Sequence, residues 1–224
     1  MDMTRIARAV ATDFPHHVTQ RGNNRENIFH DNQDKEQYLT LLKKYSEKWE
    51  CSILGYCVMD NHVHLLNRPS QEYSLSKMMQ GLTLAYSKYA NKKYMRTGRL
   101  WECRYFSNIV EKESYLWTVL RYIEQNPCRA KMVKKAEDYP YSSARAHIWS
   151  DSNPLLKENL FDEYERTEYR KFLDDRPKEN DLDKIRFASR TGRPLGTNDF
   201  VIKMERRLKR RFIPKAPGRP KGKG

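Results

Sequence analysis

Ile53-Leu54-Gly55-Tyr56-Cys57-Val58-Met59-Asp60-Asn61-His62-Val63-His64-Leu65-Leu66 holds two apolar runs separated by a turn-forming Asp-Asn pair, the pattern of a β-hairpin. Alternate side chains on a strand share a face, so His62 and His64 project together while Val63 turns into a core. Two neutral imidazoles so placed can hold a divalent metal. His-x-His also fits a half-buried pair satisfied by hydrogen bonds, so a third ligand has to be sought elsewhere.

Working outward, Phe14 to Asn24 reads as a first strand ending in a Gly/Asn turn. Asp34 is expected to cap a helix to about Glu50, with Tyr38, Leu41, Leu42, Tyr45 and Trp49 at helical spacing. After the hairpin, Ser74 opens a longer helix ending near Lys92-Lys93. A loop with Gly98, a strand over Leu100–Phe106 and a helix from about Glu113 to Gln125 follow, the last one ended by Asn126-Pro127. Strand, helix, strand, strand, helix, strand is a split β-α-β order. It predicts an α+β fold with a ferredoxin-like antiparallel sheet, helices on one face, and a further helix attached.

The 224 residues carry 43 Lys+Arg against 29 Asp+Glu, a formal charge of +14, which favours a polyanionic partner, nucleic acid first. The N-terminus lacks a continuous apolar run, and no window approaches the roughly 18 apolar residues of a membrane span, so a soluble, cytoplasmic, nucleoid-associated protein is expected. Cys51, Cys57, Cys103 and Cys128 form no C-x-x-C pair and read as reduced thiols at core positions.

Composition shifts near Ser150. Residues 185 to 224 hold 13 Lys+Arg and 2 Asp+Glu, so most of the net charge sits at this end. Asp181–Arg190 and Asn198–Arg211 read as helices around a Gly-containing turn, with Thr197 as N-cap, either a helix-turn-helix-like unit or a solvated basic helix. The expected division is an α+β domain at 1–150, a basic helical appendage at 151–212 suited to binding DNA, and a disordered basic tail at 213–224.

In Ser114–Asn126, Leu116, Val119, Leu120 and Ile123 form the buried stripe and Tyr122 lies beside it. Tyr122 and Asn126 are four apart, so a phenol and an amide oxygen share a helix side. Two imidazoles and an amide oxygen can bind a divalent ion with positions left for a phosphate oxygen, and the phenol can attack that phosphate. A tyrosine, with a free pKa of about 10, needs such polarisation to act as a nucleophile. Tyr115, Tyr86, Tyr89 and Tyr94 remain rivals on spacing alone.

Three segments together carry a resemblance: Met59-Asp60-Asn61-His62-Val63-His64-Leu65-Leu66, Gly98–Tyr105, and Tyr115–Ala130 with its Leu120-Arg121-Tyr122-Ile123-Glu124-Gln125-Asn126-Pro127 core. Over residues 10 to 150 the chain resembles the single-tyrosine, His-hydrophobe-His transposases of insertion sequences, and among them the REP-associated tyrosine transposases. Ser189–Gly196 is similar to the tail of longer members. Asp60 stands where that family commonly has proline.

The resemblance implies a metal-dependent enzyme that cuts single-stranded DNA at repeated palindromic hairpins through a 5′-phosphotyrosine. It implies Tyr122 as nucleophile, His62, His64 and Asn126 as ligands of Mg²⁺ or Mn²⁺, and action as monomer or homodimer. Arg21, Lys92, Lys93, Arg99 and Arg104 are expected to bind phosphates, Trp101 or Tyr105 to stack a base, and Arg193, Arg206, Arg207 and Arg210 to extend the contact. The alternative is a non-cleaving protein that recognises palindromic repeats through its basic C-terminal unit.

Overall fold

The structure is a computed structural model and describes residues 8 to 212. The basic tail expected at 213–224 lies outside the described residues.

Four strands build one antiparallel sheet: β1 (His16–Arg21), β2 (Cys51–Val58), β3 (His62–Pro69) and β4 (Phe106–Ile109), in the order β2-β3-β1-β4. Between them run α1 (Asn32–Lys48) and α2 (Ser74–Lys93), which pack on each other and on β2. This is the ferredoxin-like arrangement that the order of elements predicts. Val18, Val63 and Leu65 point to one face and are fully buried with Tyr38, Leu42, Leu75, Met78 and Tyr86. Each such side chain contributes roughly 1.5–3 kcal/mol through lost water contact.

The other face carries His17, Thr19 and Arg21 of β1 beside His62, His64 and Leu66 of β3, because cross-strand partners share a face: Thr19 pairs with His64, and Arg21 with His62. Helix α3 (Lys112–Glu124) crosses this face. Leu120 occupies the space where a Cβ on Gly55 would come within 2.5 Å of it, so glycine at that point lets the helix settle onto β2. Glu124, 0% exposed, accepts hydrogen bonds from Ser143 Oγ (2.5 Å) and Tyr169 Oη (2.7 Å) and contacts His147 Nδ1 (2.6 Å). These contacts tie α3 to α5 (Ala144–Trp149) and α6 (Glu163–Asp174). The one-turn α4 (Asn126–Arg129) follows α3 directly, with Pro127 in its first turn.

Three expectations are corrected. Asp31, not Asp34, caps α1, accepting from Asp34 N–H at 2.9 Å, while Asp34 is buried one turn in. Residues 100 to 105 are not a strand. Trp101 makes a single bridge to Gly22, Glu102–Arg104 then stand exposed, and regular pairing begins only at Phe106. Cys103 is exposed, not a core thiol.

The C-terminal helices α7 (Glu179–Thr191) and α8 (Asn198–Leu208) flank a turn in which Thr197 caps α8 as expected. They dock on β4. Leu195 donates to Ile109 O (2.7 Å) and accepts from Glu111 N–H (2.9 Å), and Thr197 N–H and Oγ1 both reach the Glu111 carboxylate (2.8 and 2.9 Å). Phe200 and Met204 of α8 build a small second core with Ala9, Ala11, Ile109 and Phe212.

Candidate active site

His62 and His64 reach a cleft of about 470 Å³ between the sheet, α3–α4 and α7. The hairpin turn that presents them is braced by its neighbours. Asp60 O accepts from Ile28 and Phe29 N–H (2.9 and 3.0 Å), and the Asp60 carboxylate pairs with Lys35 at 2.6 Å. The same turn is approached by Gly22, whose N–H donates to Asn61 O at 2.9 Å. A Cβ on Gly22 would fall 2.4 Å from Glu26 O, so only glycine closes this loop.

Tyr122 enters the cleft from the last turn of α3. Its ring stands edge-on to His64 (centroids 5.5 Å) and to His17 (5.8 Å), and His62 is edge-on to His64 at 5.1 Å. The Arg129 guanidinium lies 4.6 Å from the Tyr122 ring centre and donates to Tyr122 O at 2.6 Å, which fixes the ring from behind. Arg129 Nη1 is buried without a hydrogen-bond partner among the described residues. Tyr115 is elsewhere, lining a groove with Phe187 and Arg193. Tyr86 donates to Ile28 O, while Tyr89 and Tyr94 donate to Asp34, so none of the helical rivals faces the histidines.

The histidines are held as neutral bases. Burial pushes His62 down to about 4 and His64 well below its ordinary value, the neighbouring positive groups adding to this. His62 Nδ1 lies 2.6 Å from Asn61 Oδ1, which engages one nitrogen and leaves the other to the cleft. Asn126 donates through Nδ2 to Tyr122 O and Ile123 O (3.0 and 3.1 Å), closing the end of α3, and lines the cleft together with His62. Its acceptor oxygen is thus free of backbone duties. Among the described residues no group of three His, Cys, Asp or Glu gathers as a metal cluster, and two imidazoles plus an amide oxygen form the donor set here. Lone pairs on uncharged nitrogen and oxygen, next to an open cleft, fit a divalent cation.

Four contributors were missed by sequence reasoning. His17, 1% exposed, stacks on His64 (5.3 Å, 13°) with its Nε2 3.0 Å from His64 Nδ1. Ser189 of α7 meets the other side, Oγ lying 3.1 Å from His17 Nδ1. Arg186 and Arg190, also from α7, line the cleft with Arg21. Only the register of β1 on β3 joins His17 to His64, and no local pattern encodes it. His17 and Thr19 at alternate positions of the first strand are the one signal available.

Of the other expected phosphate binders, Arg99, Arg104 and Arg210 line a recess adjoining the cleft with Arg8 and Arg190. Among the described residues no carboxylate belongs to that lining, and Phe106, 44% exposed, borders both spaces. Lys93 is engaged with Asp31 and Asp34 (2.7 and 2.8 Å). Lys92 is exposed on α2, away from the cleft lining. Trp101 is buried against Tyr38 and Tyr86 with Nε1 donating to Ser87, and Tyr105 is covered by Arg8 at 3.8 Å, so neither ring is open to a base. Arg193 lies over Phe187, Arg207 holds Thr12 and Phe14, and Arg206 is exposed on α8.

Comparison with known proteins agrees with this architecture. A curated Haemophilus influenzae protein described as a REP-associated tyrosine transposase is 24% identical over 139 residues, 54% of this chain and 78% of that protein. The solved structure of a REP-associated tyrosine transposase bound to a REP hairpin superposes with a TM-score of 0.53 at 15% identity, covering 73% of this chain and 96% of that one, a likeness of fold. No helix among the described residues is long and apolar enough to cross a membrane. The family model for IS200-like transposases matches residues 11–126, more than half of the chain, and the protein belongs to that family of enzymes that cut and rejoin DNA.

Proposed function

We propose that this transposase cleaves single-stranded DNA at REP-type hairpins through a 5′-phosphotyrosine on Tyr122, with Mg²⁺ or Mn²⁺ held by His62, His64 and Asn126. The observation that carries the reading is the Tyr122 ring standing edge-on to His64 at 5.5 Å in the cleft that Asn126 and His62 also line. The similarity to a REP-associated transposase and to one bound to a REP hairpin supports the choice of substrate.

In this reading the Tyr122 phenol oxygen attacks the phosphorus, a bond forms between them, and the bond to the 3′ oxygen breaks. The products are a 5′-phosphotyrosine and a free 3′ hydroxyl, and reversal by a 3′ hydroxyl rejoins the strand. The cation, when bound, supplies charge that polarises the scissile phosphate. Arg129 Nη1, buried and unpartnered, is a donor for a phosphate oxygen, and Arg21 and Arg190 attract the backbone on either side. Arg8, Arg99 and Arg104 continue that path, with Phe106 as the stacking surface. Residues 1–150 supply the nuclease core and 151–212 complete its cleft through α7.

The test is incubation with labelled hairpin DNA and Mn²⁺, followed by a denaturing gel. A covalent adduct is expected, lost with chelator and reduced at least ~10³-fold in Tyr122→Phe, while Tyr115→Phe retains it. An adduct undiminished in Tyr122→Phe overturns the assignment.

A further inference from the structure

Ser189 Oγ, His17 and His64 form an unbroken line that starts on α7 and ends at the cleft, spanning 172 residues of sequence between Ser189 and His17. We infer that Ser189 is a positioning residue for the metal ligand His64, acting through His17, so that the C-terminal helix determines whether the site can take its cation. This rests on the reading of His64 as a ligand.

The argument is one of proton placement. Each neutral imidazole carries a single N–H, and burial keeps both His17 and His64 neutral. His64 Nδ1 is engaged by His17, so the lone pair offered to a cation is that of Nε2 and the proton belongs on Nδ1. That N–H donates to His17 Nε2 at 3.0 Å, which makes His17 Nε2 an acceptor and puts the His17 proton on Nδ1. The His17 Nδ1–H in turn donates to Ser189 Oγ at 3.1 Å, and the serine hydroxyl points on towards Asn108 Oδ1 at 3.5 Å. In this arrangement every donor in the line has its acceptor, whereas in the reverse one the hydroxyl donates to His17 Nδ1 and the His64 Nε2–H is left facing the cleft.

Remove the hydroxyl and the His17 Nδ1–H, in a side chain 1% exposed, loses its acceptor. The pair then favours the reversed arrangement, with His17 Nε2–H donating to His64 Nδ1 and the His64 proton on Nε2. No proton is gained or lost. The cleft now meets an N–H instead of a lone pair, and a cation is refused. Helix α7 is anchored independently by Leu182, Ile185 and Ala188 and by the Leu195 backbone contacts, so loss of one hydroxyl leaves it docked.

The experiment is a Mn²⁺ titration of the full chain without DNA, followed by electron paramagnetic resonance, with ¹⁵N-histidine spectra of the metal-free protein alongside. Ser189→Ala is expected to bind Mn²⁺ about tenfold more weakly, and Ser189→Thr to restore affinity to within about twofold. The spectra should show His64 protonated at Nδ1 in the unaltered chain and shifted to Nε2 in Ser189→Ala. Unchanged affinity with an unchanged tautomer in Ser189→Ala overturns the relay alone. Failure of the unaltered chain to bind Mn²⁺ overturns the metal reading. An Nε2-protonated His64 in the unaltered, metal-free chain overturns the relay whatever the cation does.

Discussion

Lys93 and the arginines of the cleft rim are both cations on a basic protein, yet their surroundings are opposite. Lys93 meets two carboxylates and contacts the rings of Tyr89 and Tyr94, and Asp34 beneath it is 0% exposed. Arg8, Arg99, Arg104 and Arg190 surround a recess whose lining holds no acid among the described residues. The first cluster is complete in itself and joins α1 to α2. The second is complete only with an anion, and it adjoins the proposed nucleophile. Net charge announces a nucleic-acid partner, but the pairing of each charge decides which residues serve it.

Acid gives the largest expected separation between the two kinds of polar site. His16 uses both nitrogens as a neutral ring, accepting from Ala11 N–H (3.2 Å) and donating to Phe14 O (2.8 Å). Burial holds it down to about 4, and His17 down to about 3. The unfolded chain, with histidines near 6.5, takes up protons first, so this stability is present above about pH 6.5 and is lost as pH falls towards 4. At pH 5 the two residues together forfeit about 4 kcal/mol, and the melting temperature should drop on the order of 10 °C from its value at pH 7. The Lys93 cluster should outlast them, since its hydrogen bonds hold Asp31 and Asp34 below the usual carboxylate range. A flat melting profile from pH 7 to 5 would contradict the neutral-histidine description.

Next in size, Asp34→Ala strips Lys93, Tyr89, Tyr94 and the His30 N–H of an acceptor. Denaturant unfolding should register a loss of about 3 kcal/mol, with DNA affinity unchanged below the transition. The reverse outcome is expected of Arg104→Ala with Arg190→Ala. Stability stays within about 0.5 kcal/mol, while the salt dependence of single-strand binding loses about 1.4 from its logarithmic slope. If Asp34→Ala and the arginine pair moved both readouts alike, the distinction between satisfied and unsatisfied cations would fail. Smallest of all is Lys92→Ala, next to Lys93 but exposed and off the cleft, for which affinity should hold to within about twofold.

The sheet and its three main helices were legible because their signals are local: an Asp-Asn turn between apolar runs, apolar spacing of 3.6, and Pro127 after Asn126. The strand expected over Leu100–Phe106 is absent up to 105 because an aromatic run there serves a single bridge and a buried Trp101 instead of a ladder. In the site, spacing alone could not separate Tyr122 from Tyr115. Seven residues place the two on nearly the same side of the helix, and the choice turns on how far along α3 the histidine strand lies. His17, Ser189 and the arginines at 8 and 190 escaped notice for a related reason. Their meaning arises from strand register and from the docking of α7 on the sheet, which no window of sequence contains. The engagement of Lys93 was invisible for the same reason, since its partners, Asp31 and Asp34, are some sixty residues away.

The bridge between Leu195 and Val110 has a counterpart at the far side of the sheet, where Ser142 and Leu156 touch Cys57 and Ile53 of β2. A four-stranded sheet ordinarily ends in two rows of idle amides that can template the strand of another molecule. Here the chain's own later segments lie along both margins. Association of two copies by continuing the sheet is therefore obstructed, and any gathering of these molecules on DNA must proceed through side-chain surfaces or through the nucleic acid they share.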